Sequence, residues 1–127
     1  MRILCRIETE ILEREFGKLN TDEVVVTEER LCHIRGRHPD DFALFERYVV
    51  ETVSNPDFIL LDGKNESTVF MVARLESMNV NAVVRLSVAG KDAAEIKNSV
   101  MTFFRLRDRN LEKLIRKNRV LYSKPRM

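Results

Sequence analysis

The chain has 127 residues, of which 44% are hydrophobic and 33% charged, with two cysteines. This length suits one domain, and the composition excludes an intrinsically disordered chain. No apolar run approaches the length of a membrane-spanning helix, and the first fifteen residues turn acidic too early for a secretory signal. Two cysteines are too few for a disulfide framework or a four-cysteine zinc site. We therefore expect one domain over residues 1–127, cytoplasmic and reduced, without cofactor or membrane contact.

Charge is distributed unevenly along the sequence. Residues 1–29 carry eight acidic and four basic side chains, whereas residues 105–127 carry nine basic and two acidic ones. A cationic end of this kind suits a polyanion such as nucleic acid, since neutralising phosphates favours binding. A solvated basic helix gives the same pattern. The charge therefore permits an RNA partner without establishing it.

The first half of the chain is expected to form short strands and helices. Strands are predicted at residues 2–7 and 23–26, and helices at residues 8–16, 28–37 and 40–53. Gly17 is a typical helix-ending residue, and Thr27 is a typical N-cap for the second helix. Pro39 separates the second helix from the third, because the residue before a proline is pushed out of the helical region.

After residues 55–57 the hydrophobic period changes from helical to strand-like. Strands are predicted at residues 58–62, 67–75, 81–88 and 98–106, a basic helix at 108–117 and an edge strand at 120–122. Short turns between the first three of these strands favour antiparallel hairpins. Helices followed by a meander predict an α+β fold, with N-terminal helices packed on one face of a four-stranded, or slightly larger, antiparallel sheet.

The densest polar cluster lies at residues 30–38 and contains both histidines of the chain, His33 and His38. On a helix Arg30, His33 and Arg37 share one face. A neutral imidazole can accept a proton from a hydroxyl, and arginines can bind a phosphate bidentately. The two histidines are about 140° apart on a helix, which disfavours a metal pair. Exposed histidines beside arginines often have no catalytic role, so this cluster is a hypothesis.

A second cluster, Asn98, Ser99 and Thr102, lies on a predicted strand. Short hydroxyl and amide groups can donate hydrogen bonds to a phosphate oxygen. Strict alternation would put Ser99 and Thr102 on opposite faces, so they can share one site only if the strand contains a bulge. Arg85 interrupts an apolar strand and faces either solvent or an anion. Tyr122 either contacts a phosphate or caps the core.

Three strings together resemble a known family. They are HIRGRHP at residues 33–39, NPDFI at residues 55–59 and NSVMT at residues 98–102. In this order and spacing they resemble the phage-barnase-EndoU-colicin-RelE-like nucleases, a branch of the metal-independent RNases that includes barnase and RelE. The resemblance covers about residues 20–123. It implies two N-terminal helices followed by a four-stranded antiparallel sheet.

The resemblance also implies a reaction. The 2′-hydroxyl of RNA attacks the adjacent phosphate, leaving a 2′,3′-cyclic phosphate and a free 5′-hydroxyl, without a metal ion. The candidate catalytic residues are His33, Arg37, His38, Ser99 and Thr102. The candidate substrate-binding residues are Arg30, Arg85, Asn98, Arg116, Lys117 and Tyr122. Which histidine is the base and which the acid stays open.

The first hypothesis is therefore a small endoribonuclease, a toxin or an effector of a phage or other mobile element, with an inhibitory antitoxin or immunity protein as its expected partner. A second hypothesis is a non-catalytic RNA-binding module, in which sheet aromatics such as Phe70, Phe103 and Phe104 stack on bases. A third is a protein-interaction domain that binds no nucleic acid.

Overall fold

The computed structural model describes residues 1–37, 39–91 and 97–125. In that part of the chain the strands are β1 (Arg2–Arg6), β2 (Glu23–Val26), β3 (Phe58–Leu61), β4 (Thr68–Arg74), β5 (Asn79–Arg85), β6 (Asn98–Leu106) and β7 (Val120–Ser123). The helices are α1 (Glu10–Phe16), α2 (Glu28–Arg37), α3 (Phe42–Ser54) and α4 (Asp108–Lys117), and Pro39–Asp41 forms a short 3₁₀ turn. No helix among these residues is both long and apolar enough to cross a bilayer.

The described strands form one sheet in the order β1-β2-β6-β5-β4-β3-β7. The expected α+β class is confirmed, and β3 to β6 pair antiparallel in chain order. The sheet differs from the expected four-stranded, or slightly larger, antiparallel one, because seven strands take part and β2 pairs with β6 in parallel. The extra strands come from the two chain ends: β1 and β2 extend the sheet beyond β6, and β7 extends it beyond β3.

The main core lies on one face of the sheet, which we call the helix face, against α1, α2 and α3. Leu12 of α1, Ile34 of α2 and Phe45 of α3 are completely buried there. Phe45 meets Phe103 of β6 edge to face, with ring centroids 5.7 Å apart. Burying side chains of this size contributes about 1.5–3 kcal/mol each. Side chains alternate between the two faces along a strand. The β5 and β6 residues that point toward Phe45 therefore determine which of their neighbours lie on the opposite face.

The opposite face, which we call the far face, is partly covered by α4. Leu111, Leu114 and Ile115 of this helix pack against Val72 of β4 and Leu106 of β6. The apolar side chains recur at helical spacing and the rest of the helix is charged, so one stripe alone can be buried. The sequence predicted no face for α4, and the structure places it opposite α1, α2 and α3. The apolar stripe of α4 predicts that one side of the helix is buried, but it does not predict which face of the sheet that side packs against.

The parallel pairing of β2 with β6 is held by side chains at the start of β6. Asn98 is completely buried. Its Nδ2 donates to the carbonyls of Thr21 and Glu23 at 2.9 and 3.0 Å, and its Oδ1 accepts the Ser87 N–H at 2.9 Å. Beside it, Lys97 donates to the carboxylate of Glu23. The hydrogen bond and the charge of Lys97 together lower the pKa of Glu23 below its ordinary value.

This ion pair makes the stability of the fold depend on pH. A carboxyl whose pKa is lowered by folding contributes stability above its unfolded pKa, and that contribution is lost as the pH falls through the folded value. We expect Lys97→Met to lower the urea midpoint by a constant amount from about pH 6 to 8. The difference from wild type should shrink below pH 4.5, the ordinary pKa of the group.

Lys91→Met is the matched control, because Lys91 and Glu66 form a more exposed pair, with side-chain exposures of 53% and 73% against 31% and 24% for Lys97 and Glu23. Exposed pairs contribute little, so the control should shift the midpoint less. A Lys97→Met difference that grows toward acid pH would contradict the assignment.

Candidate active site

A β-bulge in β6 places Ser99 and Thr102 on the same face of the sheet. Val83 pairs with Thr102 whereas Val84 pairs with Val100, so Met101 is an extra residue in the ladder. Without it, Ser99 and Thr102 would point to opposite faces. The condition set by the sequence, that these two residues share a face only through a bulge, is therefore met.

The face they share is the far face. Val84 and Val100 belong to the core against the helices, and the alternate residues of each strand therefore point the other way. Ser99 is paired with Arg85 across the β5–β6 ladder. Arg85 is exposed, Thr102 is half-buried, and Ser99 is 2% exposed. The structure thus brings three of the predicted site residues onto one patch, with the arginine as its accessible cation.

Two polar side chains on this face have buried atoms without hydrogen-bond partners within the described part of the chain. They are the Oγ1 of Thr102 and both amide atoms of Asn81, a residue that is 1% exposed. Leaving a buried polar group unpaired costs about 1–3 kcal/mol, so such groups in native structures call for an explanation. Asn81 is two residues from Val83, the partner of Thr102. The unpaired groups are therefore neighbours on one surface.

Sequence reasoning missed Asn81. A signal was present: Asn79 and Asn81 alternate with valine and alanine in mid-strand, and asparagine is depleted in strands. Asn79 is explained by its hydrogen bonds to the carbonyl of Leu106 and to the carboxylate of Asp108. Asn81 lies on the same face, but its amide makes no such hydrogen bonds to the described residues.

Helix α2 carries the predicted histidine and arginine cluster and packs beside β6. It begins where expected, with Thr27 Oγ1 accepting the Arg30 N–H at 3.2 Å. Ile34 is completely buried, and the guanidinium of Arg35 lies 4.5 Å from the ring centroid of Phe42 on α3. One flank of α2 is therefore directed at α3.

The other flank of α2 bears Arg30, His33 and Arg37. At 100° per residue, His33 lies on the side of Ile34 opposite to Arg35, and Arg30 and Arg37 fall on the same side. His33 and Arg30 are half-buried and Arg37 is exposed. Since Arg35 lies on the side of α2 that meets α3, this flank faces away from α3. His38 lies outside the described residues.

The 3₁₀ turn after α2 is fastened to the outer edge of β6. Asp41, which is 6% exposed, accepts the backbone N–H of Arg105 at 3.3 Å and its Nε at 2.8 Å. Arg105 is paired with Val80 of β5 on one side of β6. Its N–H donates to Asp41 instead, so this N–H points away from β5. The turn and α2 thus lie along the part of β6 that β2, which pairs only with Asn98 and Ser99, does not reach.

Three side chains that the sequence suggested as contacts for RNA lie outside the far-face patch. Asn98 is buried with its amide engaged by backbone groups, so its prediction as a substrate ligand is replaced by a structural role. Tyr122 pairs with Ile59 on β7, four strands from β6, and lines an apolar cavity of about 250 Å³ with Ile59 and Met71 of the helix face. Phe103 is likewise buried in the core and unavailable for stacking on a base.

Arg116 and Lys117 are exposed at the end of α4. The chain then returns to β3, where the Leu61 N–H donates to the carbonyl of Arg119 at 2.8 Å. These two cations therefore border the far face at the opposite end from β6. Eight residues of α4, roughly 12 Å of helix, lie between the end of β6 and Arg116.

The family to which this arrangement belongs is shown by comparison with family models. The model of phage-Barnase-EndoU-ColicinE5/D-RelE like nuclease 2 matches residues 4–123. The chain belongs to this nuclease family. Neither the curated proteins nor the solved structures searched contain a significant match to the chain.

The match places the candidate residues within a nuclease domain. It spans α2, the 3₁₀ turn, the bulged strand β6 and α4. In the described parts of this nuclease domain, no group of three or more His, Cys, Asp or Glu side chains is arranged to hold a metal ion. The candidate residues among the described side chains carry imidazole, guanidinium, hydroxyl and amide groups.

The amide of Asn98 is hydrogen-bonded, whereas the buried hydroxyl of Thr102 has no partner among the described residues. Substitutions at the two positions should therefore affect stability in opposite ways. Asn98→Ala leaves three backbone groups unpaired, so it should lower the unfolding free energy by at least about 2 kcal/mol. Thr102→Val removes a buried hydroxyl that has no partner, so stability should stay the same or rise. Urea denaturation of both variants measures the effect.

Asn20→Ala is the control, because Asn20 is an exposed asparagine with one side-chain bond, to Ser87 Oγ at 2.9 Å. It should cost much less than Asn98→Ala. A Thr102→Val variant that is strongly destabilised would mean that the hydroxyl has a structural partner after all.

Proposed function

We propose that this nuclease-family protein is a metal-independent endoribonuclease that forms 2′,3′-cyclic phosphates. The observation that carries the proposal is the far-face patch of Arg85, Thr102 and Asn81, next to an edge of β6 lined by α2. In this patch the buried Oγ1 of Thr102 and both amide atoms of Asn81 lack hydrogen-bond partners among the described residues. The family match supports a nuclease. The imidazole and guanidinium groups of α2 supply the acid, base and cations that cleavage of RNA requires.

In the proposed reaction each of these groups has a separate chemical role. The 2′-oxygen attacks phosphorus and gives its proton to a base, a bond to the 5′-oxygen breaks, and that oxygen takes a proton from an acid. His33 and His38 are the proposed acid and base. Arg37, Arg30 and Arg85 stabilise the negative charge of the pentavalent phosphorane, and Thr102 Oγ1 donates a hydrogen bond to it.

Ser99 receives a different role from the one expected from the sequence. Because it is paired with Arg85 across the β5–β6 ladder and, unlike Thr102 and Asn81, is not among the described residues with an unpaired buried polar atom, we assign it to positioning that arginine. The amide of Asn81 is added to the site as a group that binds a phosphate or ribose oxygen.

The basic end of α4 is proposed to hold the RNA backbone on the far face. A toxin, or an effector of a phage or other mobile element, that acts in the cytoplasm is the biological role we propose. An antitoxin or immunity protein would then inhibit by covering the same face, and an acidic surface on that partner would complement Arg85, Arg116 and Lys117.

Cleavage of labelled RNA in the presence of EDTA tests the chemistry directly. We expect 2′,3′-cyclic phosphate ends, and His33→Ala should lower the rate by roughly 10²- to 10⁴-fold, the usual contribution of a general acid or base. Arg37→Ala should cost a similar factor through lost charge stabilisation. Thermal stability of both variants should stay near wild type, since these positions lie outside the core.

The matched controls lie on the same helix. Cys32→Ala changes an exposed neighbour of His33, and Arg35→Ala removes the arginine that stacks on Phe42. Neither should lower the cleavage rate per folded molecule. RNAs left intact by wild type, or a His33→Ala variant that cleaves normally but melts earlier, would refute the assignment. Binding without cleavage would favour the non-catalytic alternative.

Salt dependence tests the role of α4. If Arg116 and Lys117 contact phosphates, log affinity falls linearly with log salt, and replacing both by glutamine should make the slope shallower by up to about two. Replacing Arg14 and Lys18 of the acidic N-terminal segment by glutamine removes the same charge elsewhere and should leave the slope unchanged. Equal slopes for wild type and the α4 variant would assign those charges to solvation.

A further inference from the structure

A cleft of about 520 Å³ opens at the end of the sheet where β5 begins and β6 ends. Its lining includes the side chains of Arg105, Arg107 and Asp108, with Met78 and Leu106 as apolar members. This volume is within the range of small-molecule sites. None of the described residues that the sequence predicted as catalytic or substrate-binding lines it.

A guanidinium in this cleft is held in position. The buried carboxylate of Asp41 accepts the Nε–H of Arg105 at 2.8 Å and its backbone N–H at 3.3 Å. The side chain of Arg105 is nevertheless 55% exposed, and its two terminal nitrogens have no hydrogen-bond partner among the described residues. Arg105 therefore presents an oriented donor fork.

A carboxylate in the same cleft is also held in position. Asn79, which is 4% exposed, donates its Nδ2 to Asp108 Oδ1 at 2.8 Å and to the carbonyl of Leu106 at 3.0 Å. Asp108 lies in the first turn of α4, where a negative charge is favourable. Its second oxygen can accept a hydrogen bond from a ligand.

The charge balance of the lining decides between two kinds of ligand. Among the described residues of the lining, the carboxylates of Asp41 and Asp108 accompany the guanidinium groups of Arg105 and Arg107. A phosphate needs an excess of positive charge and would be repelled by Asp108. A neutral, planar ligand with both acceptor and donor edges can use the arginine and the carboxylate together, and its faces can lie on Met78 and Leu106.

We propose that this cleft binds a nucleobase and that guanine is the preferred base. Guanine offers O6 and N7 as paired acceptors for an arginine, and its N1–H and amino group can donate to a carboxylate. Adenine has an amino donor where guanine has O6, so it cannot accept both hydrogen bonds of the fork. Bases of single-stranded RNA are read through these edges.

The position of the cleft connects it with the proposed cleavage site. Asp41 ends the 3₁₀ turn that follows Arg37 and lies along β6. A base bound in the cleft would thus belong to a nucleotide near the phosphate held by α2. This link with cleavage rests on the proposed function, whereas the binding of the base does not.

Titration with mononucleotides tests the site without requiring cleavage, because they contain no internal phosphodiester bond. Calorimetry of the full chain with guanosine 5′-monophosphate, adenosine 5′-monophosphate and ribose 5-phosphate should show the guanine nucleotide binding tightest. Asp108→Asn, which retains an acceptor for Asn79, and Arg105→Lys, which keeps a cation beside Asp41, should each weaken its binding at least about fivefold.

Glu112→Gln and Arg109→Lys are matched controls on the exposed surface of α4 and should leave the affinity unchanged. Thermal melts check that each variant is folded. Equal binding of ribose 5-phosphate, equal binding of the adenine nucleotide, no binding at all, or folded cleft variants with wild-type affinity would overturn the proposal. Since RNA cleavage is measured separately, a failure of the base site and a failure of the nuclease assignment give different results.

Discussion

The amide of Asn98 is the contact on which the N-terminal side of this sheet depends. One buried side chain satisfies two carbonyls beside β2 and one N–H beyond β5. Only two residue pairs join β2 to β6, so this short parallel ladder provides few backbone hydrogen bonds of its own. Because α2 begins directly after β2, the same amide also determines where α2 lies relative to β6. Burial makes such a network valuable when it is complete and costly when it is broken.

The bulge at Met101 has a comparable effect on the other side of the same strand. It leaves Phe103 in the core against Phe45 while turning Thr102 to the face that carries Arg85 and Ser99. Bulges commonly redirect a side chain beside an active site. One strand thus contributes an apolar residue to the core and a polar residue to the candidate site within two positions.

Hydrogen-bond partners separate structural polar residues from candidate functional ones. Asn79 and Asn98 are buried with their amides engaged, whereas Asn81 and Thr102 have buried atoms without partners among the described residues. All four occur on strands, and residue type alone does not distinguish them. A folded chain tolerates the cost of unpaired groups where a ligand compensates for it. The far face is therefore a stronger candidate surface than the surroundings of Asn98 at the β2–β6 pairing.

Much of the fold followed from local patterns in the sequence. The bounds of α4 and β6, the cap at Thr27 and the helix ending at Gly17 are set by periodicity and by the preferences of single residues, and these are short-range properties. The family resemblance seen in residues 33–39, 55–59 and 98–102 was confirmed by the match to the nuclease family. Those strings include the second half of α2, the connection from α3 into β3 and the start of β6.

The sequence by itself determined the α+β class, most of the elements and the nuclease family. The tertiary structure decided the parallel β2–β6 pairing, the packing of α4 on the far face and the separation of Tyr122 from the other candidates. It also revealed Asn81 and the cleft at Arg105 and Asp108. Periodicity reports which side of an element is apolar, but pairing between distant strands and the choice of face depend on contacts between residues far apart in the chain. Those contacts leave no local pattern.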